Sequence, residues 1–163
     1  MPYVLKTAGV ITTGNEVLKG RIKDTFTPVI VEKLAEYGIK TEQHAMPGDD
    51  TDTITKMILK MANDGVDFIL CTGGMSVDPD DKTPLAIKNT GADIVSYGAP
   101  VLPGAMFLLA YLKCGEKKIP VVGLPGCVMY ANVPYLILFC PDLRQEIQLW
   151  RMIFMVLEKA DYV

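Results

Sequence analysis

Histidine is nearly missing: His44 is the only one, and the four cysteines, Cys71, Cys114, Cys127 and Cys140, form no C-x-x-C pair. Those absences exclude the ligand spacings of a zinc site. No apolar run is followed by G-x-x-x-x-G-K-[ST] or G-x-G-x-x-G, so neither common nucleotide fingerprint is present. No G-x-S-x-G elbow exists either, and no nucleophilic triad can be built around His44. Basic charge is short, with 16 Lys and Arg against 19 Asp and Glu and a net charge of −3. That balance argues against a nucleic-acid platform, which needs a dominant basic face. Residues 94–112 and 119–141 carry no charged side chain, and each run is long enough to span a bilayer. Pro100 and Pro103 cut the first, and Pro120, Pro125 and Pro134 cut the second, so no membrane span is expected. No signal-peptide pattern opens the chain, so the expected setting is the reducing cytoplasm, with the cysteines serving as small apolar residues.

Half of the residues are apolar and 21% are charged, the composition of a filled globular core. A chain of 163 residues suits one domain over 1–163 that buries roughly 70% of its unfolded surface. Apolar, β-branched "AGVIT" (8–12) predicts a strand running into the loop "TGNEVLKG". Phe26, Ile30, Leu34 and Tyr37 recur at helical spacing until Gly38 stops them. A strand is expected over 39–46. Ile54, Met57, Ile58, Met61 and Ala62 then trace one face of an amphipathic helix, with Asp50, Thr51 or Asp52 as its cap. Residues 66–72 form a continuous apolar run of the kind a parallel sheet buries on both faces. Thr83 reads as an N-cap followed by Pro84 at the first helical position. Further strands are expected at 94–97 and 119–124, with a helix between them at 105–113. Helical segments through 136 and over 142–157 complete the reading. The alternation predicts an α/β sandwich around a mainly parallel sheet.

In open parallel sheets, ligands bind beyond the carboxyl ends of the strands. Three loops belong there: "TTGNE" (12–16), "TGGMS" (72–76) and "GLPGC" (123–127). Glycines directly after a strand let backbone N–H groups approach an anion, although three tight turns would read the same way. Asp49 and Asp50 precede the amphipathic helix, and Asp78, Asp80 and Asp81 follow Gly73-Gly74. Carboxylates beside a phosphate loop make chemical sense if Mg²⁺ lies between them, since that ion takes one or two carboxylates together with substrate phosphates and water. Turn closure and helix capping are the competing roles, and Asp78-Pro79 reads as a turn starter. His44 falls in a predicted strand with no obvious partner. Ser76 reads as a hydroxyl donor to phosphate rather than a nucleophile.

Taken together and in order, these motifs resemble the molybdopterin-binding domain of molybdenum-cofactor biosynthesis. "TTGNEV" resembles the family's T-G-[DN]-E-[LV], and "GRIKDT" its G-x-[IV]-x-D-[ST]. "PGDDTDTI" is similar to D-[DE]-x-x-x-I, "TGGMSVDPDDKTPLA" to T-G-G-x-[GS] with D-x-T-P-x-A, and "GLPG" to L-P-G-N-P. The resemblance implies a three-layer α/β/α sandwich, trimeric in many members, that binds molybdopterin. Some members adenylylate that pterin with Mg-ATP, and others insert molybdate. It assigns Asp49 and Asp81 as the catalytic and Mg²⁺-binding positions. It assigns Thr13, Gly14, Glu16, Thr72, Gly73, Gly74, Ser76, Thr83, Pro125 and Gly126 to the substrate. The chain departs from the family where Met75-Ser76 replaces the adenylylating members' T-G, and where Cys127-Val128 replaces N-P. "PDDKT" also resembles the competence-damage-inducible family, whose related domain hydrolyses a nucleotide pyrophosphate. A non-catalytic module that carries or senses the cofactor is the third reading, and the chain could be a piece of a longer protein.

Overall fold

The computed structural model describes residues 5–21, 23–36, 38–75, 79–98 and 106–124. The helices expected through 136 and over 142–157 lie outside them, as do Ser76, Pro125 and Gly126. Six strands make one sheet in the order β2-β1-β3-β6-β5-β4. They are β1 (Thr7–Thr12), β2 (Lys40–Ala45), β3 (Phe68–Thr72), β4 (Asp93–Tyr97), β5 (Leu108–Cys114) and β6 (Lys117–Leu124). β1 pairs in parallel with β2 and β3, and β3 with β6, while β5 is antiparallel to both β6 and β4. Among the described residues four helices accompany the sheet: α1 (Asn15–Leu18), α2 (Phe26–Glu36), α3 (Thr51–Asn63) and α4 (Thr83–Asn89).

From β1 the chain moves outward through α2 to the edge strand β2, then returns across β1 through α3 to β3. Both crossovers are right-handed by the usual rule, so the reversal of direction puts α2 and α3 on opposite faces. α2 packs on β1 and β2, whereas α3 packs on β1, β3 and β5, and α4 on α3 and β6. The result is three layers. Alternation along the strands sorts the core accordingly. Ile11, Ile69, Cys71, Leu108, Ala110 and Val121 join Ile54, Ile58 and Met61 of α3 and Ala86 and Ile87 of α4 in one cluster. Burying each such Ile or Leu contributes about 1.5–3 kcal/mol. β1 and β3 are buried almost throughout, as a central parallel strand with both faces covered must be.

Helix ends follow the sequence signals with one shift. Gly38, at φ +71°, ends α2, and its N–H donates to the Ala35 carbonyl. Of three candidate caps for α3, Asp50 serves: its carboxylate accepts from the Thr53 N–H at 2.9 Å. Thr83 is not an N-cap. α4 begins at Thr83 itself with Lys82 preceding it, because the Thr83 hydroxyl is engaged by another loop.

The helix expected over 105–113 is a correction. Residues 108–114 form strand β5, joined to β6 by the two-residue turn Gly115-Glu116. Ala, Leu and Met gave that stretch a helical appearance, and a short apolar run does not distinguish a buried helix from a buried strand. The turn decides. Gly115 has φ +61° at the first loop position, where a type II′ hairpin takes its glycine. The register Cys114↔Lys117 through Leu108↔Gly123 then pairs the whole segment with β6.

Candidate functional site

Reversal of chain direction between β1 and β3 creates a topological switch point, and the carboxyl ends of these neighbouring strands diverge into loops there. The β1 loop turns at Gly14 into α1, and the β3 loop turns at Gly73-Gly74. Backbone and hydroxyl bonds tie the two loops together. Thr13 N–H donates to the Thr72 carbonyl at 2.8 Å, and the Thr13 hydroxyl reaches the same oxygen at 3.2 Å. The Thr83 hydroxyl donates to the Gly73 carbonyl at 2.8 Å and lies 3.1 Å from the Thr13 hydroxyl. Thr13, Thr72 and Thr83 are all buried. They brace the glycine turn from behind rather than face solvent. Gly73 is the tightest point: a Cβ there would lie 2.3 Å from the Thr13 carbonyl oxygen.

In front of the turn opens a cleft of about 400 Å³. Gly14, Asn15, Glu16 and Val17 line one side, Asp49 another, and Gly74, Asp80, Asp81 and Lys82 a third. Asp49 and Asp81, assigned from distant parts of the sequence, therefore share one cleft with Gly14, Glu16 and Gly74. Asp49 is held by a reciprocal pair: its carboxylate accepts from the Asn15 N–H at 2.9 Å, and its own N–H donates to Asn15 Oδ1 at 3.3 Å. Asn15 and Lys82 were not singled out from the sequence. Asn15 could have been, since it occupies the variable position of the T-G-[DN]-E motif. Lys82 carries no such signal. Asp50 faces its own helix: the Thr53 hydroxyl and then the Thr53 N–H hold its carboxyl below the usual carboxylate range.

Met75 points away from the cleft. It is buried against Gly123 of β6, where a Cβ would meet its Cε at 2.6 Å. Packing of the core therefore accounts for the large residue at this position of the loop. His44, expected to lack a partner, has two: its Nε2 lies 3.1 Å from the Thr27 hydroxyl and 3.4 Å from that of Thr12, on the α2 side of the sheet. Burial pushes the Cys71 thiol up to about 12, which fits an apolar core residue. Among the described residues no three His, Cys, Asp or Glu side chains are grouped to hold a metal, and no helix is long and apolar enough to cross a membrane.

Comparison with solved structures finds the same fold. A tungsten cofactor synthesizing protein, MoaB, from Pyrococcus furiosus superposes with a TM-score of 0.66 at 21% identity, covering 76% of this chain and 84% of that one. CinA from Thermoplasma acidophilum, a protein of unknown function, gives 0.61 at 25% identity over 75% of this chain and 89% of that one. In sequence, the chain is similar to a CinA-like protein of Mycobacterium avium, 37% identical over 76 residues. That match covers 47% of this chain and 18% of the relative's length. The family described as "Probable molybdopterin binding domain" matches residues 9–145. The match takes in both loops of the cleft and both of its paired aspartates, and the chain belongs to that family.

Proposed function

We propose that the switch-point cleft binds molybdopterin and transfers an adenylyl group to it from Mg-ATP. The observation that carries the reading is the charge of the cleft: among the described residues, Glu16, Asp49, Asp80 and Asp81 line it against the ammonium of Lys82, beside a glycine turn suited to an anion. Such a cleft admits phosphates only together with cations. The acidic groups are too dispersed for a cage made of protein alone. Two carboxylates lining one cleft fit an Mg²⁺ completed by substrate phosphates and water, the usual arrangement for that ion. Asp49 and Asp81 are the residues that would hold it, and it would supply charge neutralisation at the transferring phosphoryl group.

The protein's own contribution is positioning. Gly14 and Gly74 line the cleft at positive φ, a backbone conformation suited to an anion-binding turn, where the pterin's terminal phosphate would lie. An oxygen of that phosphate attacks the α-phosphorus of ATP; the new P–O bond forms as the α–β bridging bond breaks and pyrophosphate leaves. Asn15 holds Asp49 in place, and the Thr13–Thr83–Gly73 contacts fix the turn, so little reorganisation accompanies the transfer. Titration of molybdopterin into the protein in the presence of Mg²⁺ tests the binding step. Saturable binding that weakens as inorganic phosphate is added is the expected result, and an absence of binding removes the reading.

The 37% identity to a CinA-like protein favours one second reading, metal-dependent hydrolysis of a nucleotide pyrophosphate in the same cleft. Incubation with ADP-ribose and a divalent cation separates the two, because only the hydrolase releases AMP and ribose phosphate.

A further inference from the structure

The carboxyl edge of the sheet extends beyond the cleft. β5 runs antiparallel to β6 and β4 antiparallel to β5, so β4 points the same way as β1 and β3. Its last residue, Tyr97, therefore ends on the edge that holds the cleft. Tyr97 pairs with Leu108, and directly opposed residues on neighbouring strands project from the same face. Leu108 belongs to the core cluster packed under α3 and α4, which puts the Tyr97 ring on the face where α4 begins at Thr83. The core absorbs Leu108 completely but leaves Tyr97 48% exposed. Burial of the remainder and the nearby charge of Asp81 both push the phenol's pKa up, which sets the ring within electrostatic reach of the cleft. Among the described residues that line the cleft, none is aromatic. β3 and β4 are separated by β6 and β5, so the ring stands about 14 Å across the sheet from the glycine turn.

We propose that Tyr97 is the ring-binding residue of this site: its exposed face stacks on the planar heteroaromatic ring, pterin or adenine, of a ligand whose phosphate lies against Gly14 and Gly74. The proposal rests on the function proposed above. Phosphate at one end and a ring at the other require two subsites separated by the length of a linker, and the described part of the cleft supplies only the first. A tyrosine face binds any flat nitrogen heterocycle without a hydrogen-bond code, and removing such a stacking partner typically weakens binding about five- to a hundredfold. The opposing account is that Tyr97 is merely an aromatic residue suited to an edge strand, which predicts a change in stability and none in ligand preference.

The experiment compares wild type, Tyr97→Ala and Tyr97→Phe in binding three probes, all in the presence of Mg²⁺: molybdopterin, ATP and inorganic tripolyphosphate, which has no ring. Thermal midpoints are measured alongside. The expected result is a loss of about tenfold or more by Tyr97→Ala for at least one ring-bearing probe, unchanged binding of tripolyphosphate, and wild-type affinity in Tyr97→Phe. Whichever ring-bearing probe loses affinity identifies the ring that stacks. Equal loss for all three probes, or none for any, overturns the proposal. If Asp81→Asn weakens Mg-ATP while Tyr97→Ala binds every probe normally, Tyr97 is ruled out and the proposed function stands. A wild-type protein that binds none of the probes overturns both.

Discussion

A methyl group at Gly73 would sit 2.3 Å from the Thr13 carbonyl oxygen, inside any permitted contact, and that oxygen belongs to backbone that cannot rotate away. Gly73 also has φ +81°, a conformation that costs an L-residue about 1–2 kcal/mol before any clash. Gly73→Ala should therefore lower stability by about 2 kcal/mol or more, read as a reduced urea midpoint at unchanged slope. A loss within about 0.5 kcal/mol, the range of an ordinary surface change, would mean that the turn relaxes without cost. The glycine pair was legible in "TGGMS" as a tight turn, because only glycine adopts such angles freely. The brace behind it was not. Nothing in the sequence links Thr13 to Thr83, whose hydroxyls meet only because β1 and β3 are neighbours and α4 starts above them. His44 was illegible for the same reason, since its partner Thr27 comes from a helix packed on the sheet.

Among the elements, β1 and β3 are fastened at both ends. Beyond their carboxyl ends Thr13 N–H bonds the Thr72 carbonyl, and at the start of β1 the side chain of Asp67 accepts from the Lys6 N–H at 2.8 Å, the Thr7 N–H at 3.0 Å and the Thr7 hydroxyl at 3.2 Å. Burial acts to raise the Asp67 pKa, but these bonds and the charge of Lys117 outweigh it and leave the carboxyl below its ordinary value. A carboxyl depressed in the folded state stabilises fully above its unfolded pKa of about 4, and that contribution disappears as pH falls through the lower folded value. Urea midpoints measured from neutral pH down through that window should fall more steeply in wild type than in Asp67→Asn, which starts lower at neutral pH. Parallel acid profiles would show that the clamp contributes nothing. The amphipathic periodicity of α3 and the apolar run of β3 made those elements readable, since each encodes its own burial. β5 encoded nothing so definite. Its identity as a strand depends on a glycine three residues past a leucine-rich run and on β6 waiting as a partner.

For the molecule as a whole, strand and helix alternation was enough to indicate a layered α/β protein, whereas strand order was not. The order β2-β1-β3-β6-β5-β4 supplies what function needs, a switch point at the carboxyl ends of two central strands. It gathers Asp49 and Asp81, separated by 32 positions in the sequence, into one cleft beside Gly14 and Gly74. Family motifs named those residues, but the excess of carboxylates over lysine among the described residues of the cleft became visible only in the folded chain. That charge is the basis of the central claim, that the cleft handles phosphates through a cation held by Asp49 and Asp81. The most direct test is to incubate the protein with molybdopterin and Mg-ATP and to separate the products, with Asp81→Asn in parallel. The account predicts adenylylated pterin and pyrophosphate from the wild type and a loss of product in the variant; equal product from both, or none from a wild type that binds molybdopterin and Mg-ATP, would contradict it.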